Sequence, residues 1–383
     1  MSNFLLLTLA LFAMALLLAL LVISWREVIT ERKEVPPISD DDAPSITVII
    51  PARNEEENIV AVLQDLFAQD YPRERMQVIV VDDEGSDGTA DLVCGMMPQW
   101  PHLQLLESAG PGKKAAITTG VEAATGELVV LTDADVRCGP LRVRSIVAHW
   151  MMEKSDLIVL PVWTEGRGML GRIQEDEQAA LLGMAIGTAV QGRALMAYGA
   201  NLAFSHAAFK GVGGYQGDRF ASGDDHFLVQ RMQRAGKHIT AFYHKDVMVT
   251  AIAAPSFSAF LQQRLRWAGK MRGAGMAQAT GFLAVLVFPW VLLWHTSRFN
   301  FVEGIGDHAL FTLALLIGAW ACWALPPILL VGDVRASAGR LANMPRGLFG
   351  LVAFSCYAPV IGIAALFARP KWKGRTLHPR QRS

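Results

Sequence analysis

Ile46-Thr47-Val48-Ile49-Ile50-Pro51-Ala52-Arg53-Asn54-Glu55-Glu56-Glu57 is the stretch on which the fold turns. Residues 46–51 form a short, continuous apolar run rich in β-branched side chains, the mark of a strand buried on both faces of a parallel sheet. Asn54 and three glutamates then open an expected helix carrying Ile59, Val62, Leu63 and Leu66 at helical spacing. Acidic residues suit a helix N-terminus. The alternation continues outward: strand 77–83, a helix from Asp87, strand 103–106, helix 113–124, strand 128–133. This pattern predicts an α/β fold, a mostly parallel sheet with helices on both faces. Ligands bind such sheets outside the carboxyl ends of the strands. There the chain puts Asp82, Asp83, Asp133 and Asp135.

The flanks are of another kind. Of 383 residues, 52% are hydrophobic and 18% charged, against roughly a quarter charged in an ordinary soluble chain. The 35 basic and 35 acidic residues cancel, so nothing suggests a nucleic-acid partner, which a basic excess would announce. High apolar content excludes disorder. Cys94, Cys138, Cys322 and Cys356 form no C-x-x-C pair, which argues against a zinc ribbon or a disulfide scaffold.

Residues 1–25 carry no charge, and about 20 apolar residues at ~1.5 Å each span ~30 Å of hydrocarbon. A cleaved signal peptide is the competing reading. No basic residue precedes the run, it exceeds the ~7–15 residues of a signal core, and no A-x-A site follows, so a retained anchor is expected. Residues 273–297, 308–332 and 347–368 are also charge-free, interrupted by Pro289, by Pro326 with Pro327, and by Pro359. Membrane helices tolerate such prolines.

Arg26, Arg32 and Lys33 after the first span place the centre of the chain in the cytoplasm by the positive-inside rule. Glu303 and Asp307 outweigh Arg298 as in an outer loop, and Arg335, Arg340 and Arg346 bring the next loop back inside. Three crossings would then put the tail outside, yet it carries Arg369, Lys371, Lys373, Arg375, Arg380 and Arg382. Either the last segment is a re-entrant hairpin bent near Pro359 or the tail breaks the rule; both readings stay open here. The expected layout is an anchor over 1–25, a linker over 26–45, a cytoplasmic α/β domain over 46–253, an amphipathic interface helix over 254–276, two or three spans over 277–368, and a basic tail over 369–383. Its compactness suits a bacterial inner membrane.

The acids admit a bland and a chemical reading. Asp133-Ala134-Asp135 after a buried strand can cap the next helix, or share Mg²⁺ or Mn²⁺ with a diphosphate. Asp82 and Asp83 precede the turn-like Glu84-Gly85-Ser86-Asp87-Gly88-Thr89. Gly110-Pro111-Gly112-Lys113-Lys114 lacks the spacing of a Walker phosphate loop. A lysine at a helix start nonetheless opposes the helix dipole, which hints at an anionic ligand. In Gly223-Asp224-Asp225-His226 either acid can be a helix cap, while Asp225 as general base needs only an acceptor hydroxyl within reach. His226 beside acids reads as solvated. Residues 256–276 put Phe257, Leu261 and Leu265 on one stripe and Arg264, Arg266, Lys270 and Arg272 elsewhere, as in a helix lying in the membrane interface. Its Trp267 can be an interfacial anchor, and Arg264 and Arg266 can neutralise a diphosphate.

Taken together, in this order, the motifs resemble the membrane-embedded inverting glycosyltransferases of family 2, whose relatives include cellulose, chitin and hyaluronan synthases and ceramide glucosyltransferase. The resemblance runs from about Ile46 to Arg272. It rests on Ile50-Pro51-Ala52-Arg53-Asn54-Glu55, Val81-Asp82-Asp83, Thr132-Asp133-Ala134-Asp135, Gly199-Ala200-Asn201-Leu202-Ala203-Phe204, Gly223-Asp224-Asp225 and Gln263-Arg264-Leu265-Arg266-Trp267, the last matching Q-x-x-R-W.

The resemblance implies a GT-A-type, Rossmann-like domain between an N-terminal transmembrane anchor and C-terminal transmembrane helices. It also implies a nucleotide-diphosphate sugar donor, a UDP-sugar first among them, and a membrane lipid or saccharide acceptor. Asp83 or Asp82 would hydrogen-bond the base, and Asp133 with Asp135 would hold Mn²⁺ or Mg²⁺. Lys113, Asn201 and Asp224 belong to the implied substrate site. Asp225 would deprotonate the acceptor hydroxyl, Gln263 and Arg266 would bind the leaving diphosphate, and Trp267 would face the acceptor.

Two departures fall near the nucleotide pocket. Glu84 displaces by one the glycine of the family's D-D-G, and Gly112–Gly120 carries threonine where the family has asparagine. Polymer synthases of this kind build channels from more membrane helices than this chain has, so transfer of one or a few sugars is expected, with a processive synthase as alternative. A catalytically silent scaffold is the reading from another class; the intact acids and Q-x-x-R-W speak against it.

Overall fold

The computed structural model describes residues 3–30, 36–218, 223–270, 276–299, 308–341, 344–368, 371–373 and 375–376. Arg32, Lys33, Arg272, Glu303, Asp307, Arg369, Arg380 and Arg382, used above for orientation and patterning, lie outside the described residues.

A 7-stranded sheet of order β3-β2-β1-β4-β8-β6-β9 is the centre of the α/β domain. β1 (Ile46–Ala52) lies between β2 (Met76–Asp82) and β4 (Leu128–Thr132), with β3 (Leu103–Glu107) at the edge. These four run parallel, in a register that sets Ala52 beside Asp82. β5 (Val136–Cys138), β7 (Val162–Glu165) and β10 (Val249–Ile252) form a separate three-stranded sheet. β6 (Leu157–Val159) and β9 (Ile239–Ala241) complete the far side of the large sheet. β8 (Asn201–Ser205) is antiparallel to β4, with Asn201 beside Thr132. That reversal brings the start of β8 to the edge where β1, β2 and β4 end.

The helices between strands are α2 (Ile59–Phe67), α3 (Thr89–Met96), α4 (Lys113–Ala123) and α5 (Arg142–Glu153). α2 starts later than the sequence pattern suggests, because neighbouring loops take the backbone of Asn54, Glu55 and Glu56. Asn54 is left-handed at φ +51°. The Glu55 N–H donates to Thr89 Oγ1 at 2.8 Å and the Glu56 N–H to Asp87 Oδ2 at 3.0 Å. α3 likewise opens at Thr89 rather than Asp87, whose Oδ1 accepts from the Thr89 N–H.

One sheet face packs on α2, α3 and α5, through side chains such as Ile50, Leu63 and Val147. The other packs on α4, α6 (Gly168–Val190), α7 (His206–Gly211) and α8 (Asp224–Arg234). Each fully buried Val, Leu or Ile contributes about 1.5–3 kcal/mol.

α6 also floors the domain against the apolar helices. α1 (Asn3–Thr30) crosses it at Trp25, where a β-carbon on Gly187 would stand 2.5 Å from the indole. α11 (Ala309–Ser337) crosses it with Leu330 and Arg335. The acids of α6 face arginines: Asp176 accepts from Arg335 at 3.1 Å and Arg346 at 3.2 Å, Glu175 from Arg346 at 2.5 Å, and Glu177 from Arg264 Nε at 2.9 Å.

α9 (Phe257–Lys270), α10 (Met276–Ser297) and α12 (Met344–Phe367) complete the helices. Among the described residues, Asn3–Thr30, Ala309–Ser337 and Met344–Ala365 are long and apolar enough to cross a membrane. α12 runs unbroken through Pro359. Its start pairs with α6 through Arg346, the Ser355 carbonyl accepts from the Trp290 indole of α10, and Ile361 and Ala365 pack on Phe260 and Leu265 of α9. A small hairpin, β11 (Lys371–Trp372) and β12 (Arg375–Thr376), follows.

Candidate active site

The parallel ends of β1, β2 and β4 and the start of β8 converge on one cleft, and two lysines on α4 organise it. Gly112, at φ +97°, ends the preceding loop and gives its N–H to Asp83 Oδ1 at 2.7 Å. Asp83 is buried, and this bond joins the end of β2 to the start of α4. Asp82 sits on the turn side, where its Oδ1 accepts from the Gly85 N–H at 3.0 Å. The two aspartates therefore differ in role, one an internal brace and the other half-open to the cleft.

Arg53 spans these loops, its guanidinium donating to the carbonyls of Asp83 and Glu84. Glu84, where the family pattern has glycine, is left-handed at φ +52°. A side chain at such a backbone angle costs roughly 1–2 kcal/mol.

Lys113 is the hub. Its ammonium lies 2.6 Å from Asp133 Oδ1 and 3.3 Å from Asp224 Oδ2. One cation thus holds the D-x-D acid and the first acid of Gly223-Asp224-Asp225 together. Burial disfavours the charged lysine, but Asp133 and Asp224 outweigh it and hold its proton more tightly than in an ordinary lysine. The helix-start lysine is accounted for by these carboxylates, which offset its clash with the dipole. Asp224 is buried, and its Oδ2 has no hydrogen bond among the described residues besides this ion pair.

Asp225, the next residue on α8, is half-buried. Its Oδ1 accepts from the His226 N–H at 2.7 Å and its Oδ2 from the Gly199 N–H at 3.4 Å. Gly199 is required by space. A β-carbon there would stand 2.4 Å from Asp224 Oδ2 and 3.0 Å from Lys113 Nζ.

Asp135 is open to solvent, and its carboxyl is pushed up to about 6. Desolvation by the surrounding cleft comes first, then the like charges of Asp133 and Glu55, against Lys373 and Lys113. Because the residue itself is solvent-open, the neighbouring carboxylates are the durable part of that shift. Among the described residues no group of three or more acids, histidines or cysteines stands ready for a metal. Two carboxylates are nonetheless the usual protein contribution to a Mg²⁺ site completed by phosphate oxygens and water. Asp133 and Asp135 fit that donor set.

Arg266 reaches the same acids from α9. Burial lowers its pKa, and Asp133, Asp135 and Asp224 lie within electrostatic range to oppose that. Its neighbours in Q-x-x-R-W turn elsewhere. Arg264 is buried on Glu177, and its guanidinium stacks on the rings of Phe260 at 4.4 Å and Trp267 at 4.5 Å. Gln263 Oε1 accepts from the Arg264 guanidinium. Of the two arginines, Arg264 is a structural tie and only Arg266 is electrostatically coupled to the cleft. Trp267 covers Arg264, and Gln263 is occupied by it.

Asn201 departs from the expected substrate contact. Its side chain is wholly buried. Its Oδ1 accepts from Arg142 at 2.9 Å, and its Nδ2 donates to the carbonyls of Pro161 at 2.7 Å and Val247 at 2.8 Å. With both ends of the amide used inside the domain, Asn201 fastens β8 beneath the cleft and has no free atom for a substrate. His226 is likewise bonded rather than solvated, its ring facing the Leu195 carbonyl at 3.2 Å and Gln230 at 2.9 Å.

Sequence reasoning missed Lys114, which pairs with Asp218 at 2.8 Å while Arg231 holds the other oxygen of that acid at 2.7 Å. It also missed Glu55, whose carboxylate takes Lys373 at 2.5 Å. The doubled lysine was the one signal for the first; the second joins residues 318 apart in sequence and had none.

Comparison with known proteins bears on this site. The sequence model of glycosyl transferase family 21 matches residues 5–382. A Bacillus subtilis protein named Probable glycosyltransferase YdaM is 27% identical over 255 residues, 64% of this chain and 60% of the relative. The β-monoglucosyldiacylglycerol synthase of Synechocystis is 27% identical over 153 residues, 36% of this chain and 32% of the relative. The poly-β-1,6-N-acetyl-D-glucosamine synthase of Staphylococcus aureus is 25% identical over 251 residues, 63% of this chain and 58% of the relative. The chain thus spans a third to three fifths of the length of these relatives.

Among solved structures, the mannosyltransferase PcManGT of Pyrobaculum calidifontis, in complex with GDP-Man and Mn²⁺, superposes with a TM-score of 0.56 at 22% identity. That match covers 93% of this chain and 99% of the other. At that identity the likeness speaks for the fold, which is of the GT-A type.

Proposed function

The chain belongs to glycosyl transferase family 21, the ceramide glucosyltransferase-like side of the resemblance read from its motifs, and from that premise we propose that it moves a sugar from a nucleotide diphosphate to a membrane lipid, lipid-linked or saccharide acceptor with inversion. The observation that carries this reading is Lys113. Its ammonium gathers Asp133 and Asp224 into one cleft, with Asp225 next to Asp224 and Arg266 in electrostatic range.

In this reading Asp225 accepts the proton of the acceptor hydroxyl. The hydroxyl oxygen forms a bond to the anomeric carbon as the bond from that carbon to the diphosphate oxygen breaks on the opposite face. One base and one displacement suffice, and the configuration inverts. Lys113 and Arg266 offset the charge that develops on the departing diphosphate. Asp133 and Asp135 would hold Mn²⁺ or Mg²⁺, which supplies further charge neutralisation when bound. Asp82 or Asp83 would meet the base, with Asp82 the more accessible of the two.

Lipid acceptors are favoured by where the cleft lies. α9 joins it to the apolar helices, and a lipid headgroup held near Arg266 would not need to leave the membrane surface. The contact of Lys373 with Glu55 favours a last segment that does not carry the tail across the membrane. α1, α10 and α11 would cross, and the tail would return to the cytoplasmic face with the catalytic domain. Three crossings make a thin wall for a polysaccharide, which favours transfer of one or a few sugars.

The test is release of nucleotide diphosphate by the detergent-purified full chain. UDP- and GDP-sugars would be offered with Mn²⁺, with and without a membrane lipid extract. Lipid-dependent release from one donor, lost in Asp225→Asn and Asp133→Ala, is the expected result. Folded protein that releases nothing from any donor and binds neither UDP nor GDP would overturn it. A C-terminal tag protected from protease in sealed inside-out vesicles would overturn the topology.

A further inference from the structure

Asp135 lies among cations supplied from three distant parts of the chain. Lys113 comes from α4 and Arg266 from α9. The third, Lys373, arrives from beyond the last apolar helix. It occupies the turn of the β11–β12 hairpin, where Trp372 pairs with Arg375. Its φ of +44° is left-handed.

The Lys373 ammonium lies 2.8 Å from the Asn54 carbonyl oxygen and 2.5 Å from Glu55 Oε1. Glu55 is buried, and its other oxygen accepts from Asn58 Nδ2 at 3.0 Å. Asn54 Oδ1 in turn accepts from the Ser86 N–H at 2.8 Å. The hairpin is therefore pinned to the loop after β1, which is itself laced to the loop after β2.

We propose that Lys373 is a donor-site residue supplied by the C-terminal tail, its ammonium neutralising Glu55 so that the cleft can accept the diphosphate of a nucleotide sugar. The inference rests on the donor-site reading above. The cleft is rich in acid: Glu55, Asp82, Asp133, Asp135, Asp224 and Asp225 all border it. A diphosphate brings still more negative charge. With Lys373 removed, Glu55 would stand buried with Asn58 but without its cation, beside the very group that must bind. The penalty falls on phosphate charge rather than on the base, because Asn54 and Glu55 hold the loop through other bonds as well. A merely structural hairpin would affect all ligands alike.

Calorimetric binding to the full chain in detergent with Mn²⁺ tests this, using UDP against UMP and GDP against GMP. Whichever diphosphate the wild type binds should bind about tenfold more weakly to Lys373→Ala, one factor of ten in Kd. The matching monophosphate should change much less. Lys373→Arg should stay close to wild type. Glu55→Gln combined with Lys373→Ala should recover most of the loss, because the uncompensated carboxylate is then gone. Unchanged diphosphate binding in Lys373→Ala would overturn the inference alone. So would equal weakening of mono- and diphosphate with no recovery in the double variant. A wild type that binds neither UDP nor GDP would overturn the donor-site reading, and this inference with it.

Discussion

Two charged clusters meet α9 two residues apart, and they are built on opposite terms. On the α6 side, Glu177 takes Arg264, while Glu175 and Asp176 share Arg335 and Arg346. Arginine guanidinium groups, planar and multidentate, satisfy these acids, and the result is a closed joint between the α/β domain and the apolar helices. On the cleft side, Asp133 and Asp224 share a single lysine, Asp135 is raised by desolvation and then by Asp133 and Glu55, and Arg266 is coupled to the acids without a short ion pair to any of them among the described residues. A closed cluster has little left for a ligand. An open one keeps carboxylates and cations near one another and unsatisfied, which is the condition of a binding or catalytic site. The α6 cluster sets three acids against three arginines, whereas the acids of the cleft outnumber its cations.

The largest effect expected from this contrast is in the open cluster. Asp225→Asn should leave folding and nucleotide binding intact and reduce sugar transfer by roughly 10²–10⁴-fold, the usual share of a general base. Single-turnover nucleotide release beside calorimetric nucleotide binding checks both halves. Transfer within a few-fold of wild type would remove Asp225 from that role.

The closed cluster should answer in stability instead. Glu177→Gln leaves Arg264 buried without a charge partner, which costs about 3–5 kcal/mol. Thermal unfolding in detergent should register it, with nucleotide affinity of the surviving folded fraction little changed. Glu177→Leu combined with Arg264→Met should recover much of that loss, since an apolar pair of similar volume carries no desolvation penalty. If the double variant were inactive yet fully stable, Arg264 would belong to the cleft after all.

Gly199→Ala probes the seam between the two kinds of effect. Its new methyl would press on Asp224 and Lys113, and overpacking of this sort costs about 1–3 kcal/mol. Because the contact falls on the open cluster, turnover should fall about tenfold or more while the unfolding temperature shifts modestly. A pure stability loss would mean that Asp224 can move aside at no catalytic cost.

The smallest effect belongs to the loop after β2. Glu84→Gly would relieve a left-handed side chain at φ +52° and should stabilise the protein by up to about 1 kcal/mol, the glycine's extra chain entropy offsetting part of the gain. Destabilisation would indicate that the Glu84 side chain makes a contact worth more than that strain.

Much of this molecule was legible in the residue order. Continuous β-branched runs predicted the central strands, because only a sheet covered on both faces makes such runs favourable. Acids at strand ends predicted the cleft. The doubtful positions were those whose neighbours are far away in the chain. Asn201 sits in a motif yet is buried under the cleft, and only the antiparallel insertion of β8 shows which of its faces is inside. Arg264 and Arg266 look alike as letters, and their separation depends on which helix face meets α6. The helix expected from Asn54 begins only at Ile59, because the backbone N–H groups of Glu55 and Glu56 are claimed by a loop more than thirty residues on. The tail was a puzzle of charge alone until Lys373 met Glu55.

What the sequence determined by itself is what depends on local patterning: the strands and helices of the α/β domain, the apolar flanks, the acids at the carboxyl edge and the family they belong to. These follow from burial and periodicity, which are properties of short windows. What only the tertiary structure decided is pairing: Lys113 between two acids, Arg264 closed and Arg266 open, Asn201 withdrawn, α12 packed on α9, and the tail laid against the loop after β1. Charge interactions act through space between groups brought together by folding, so no window of sequence contains them.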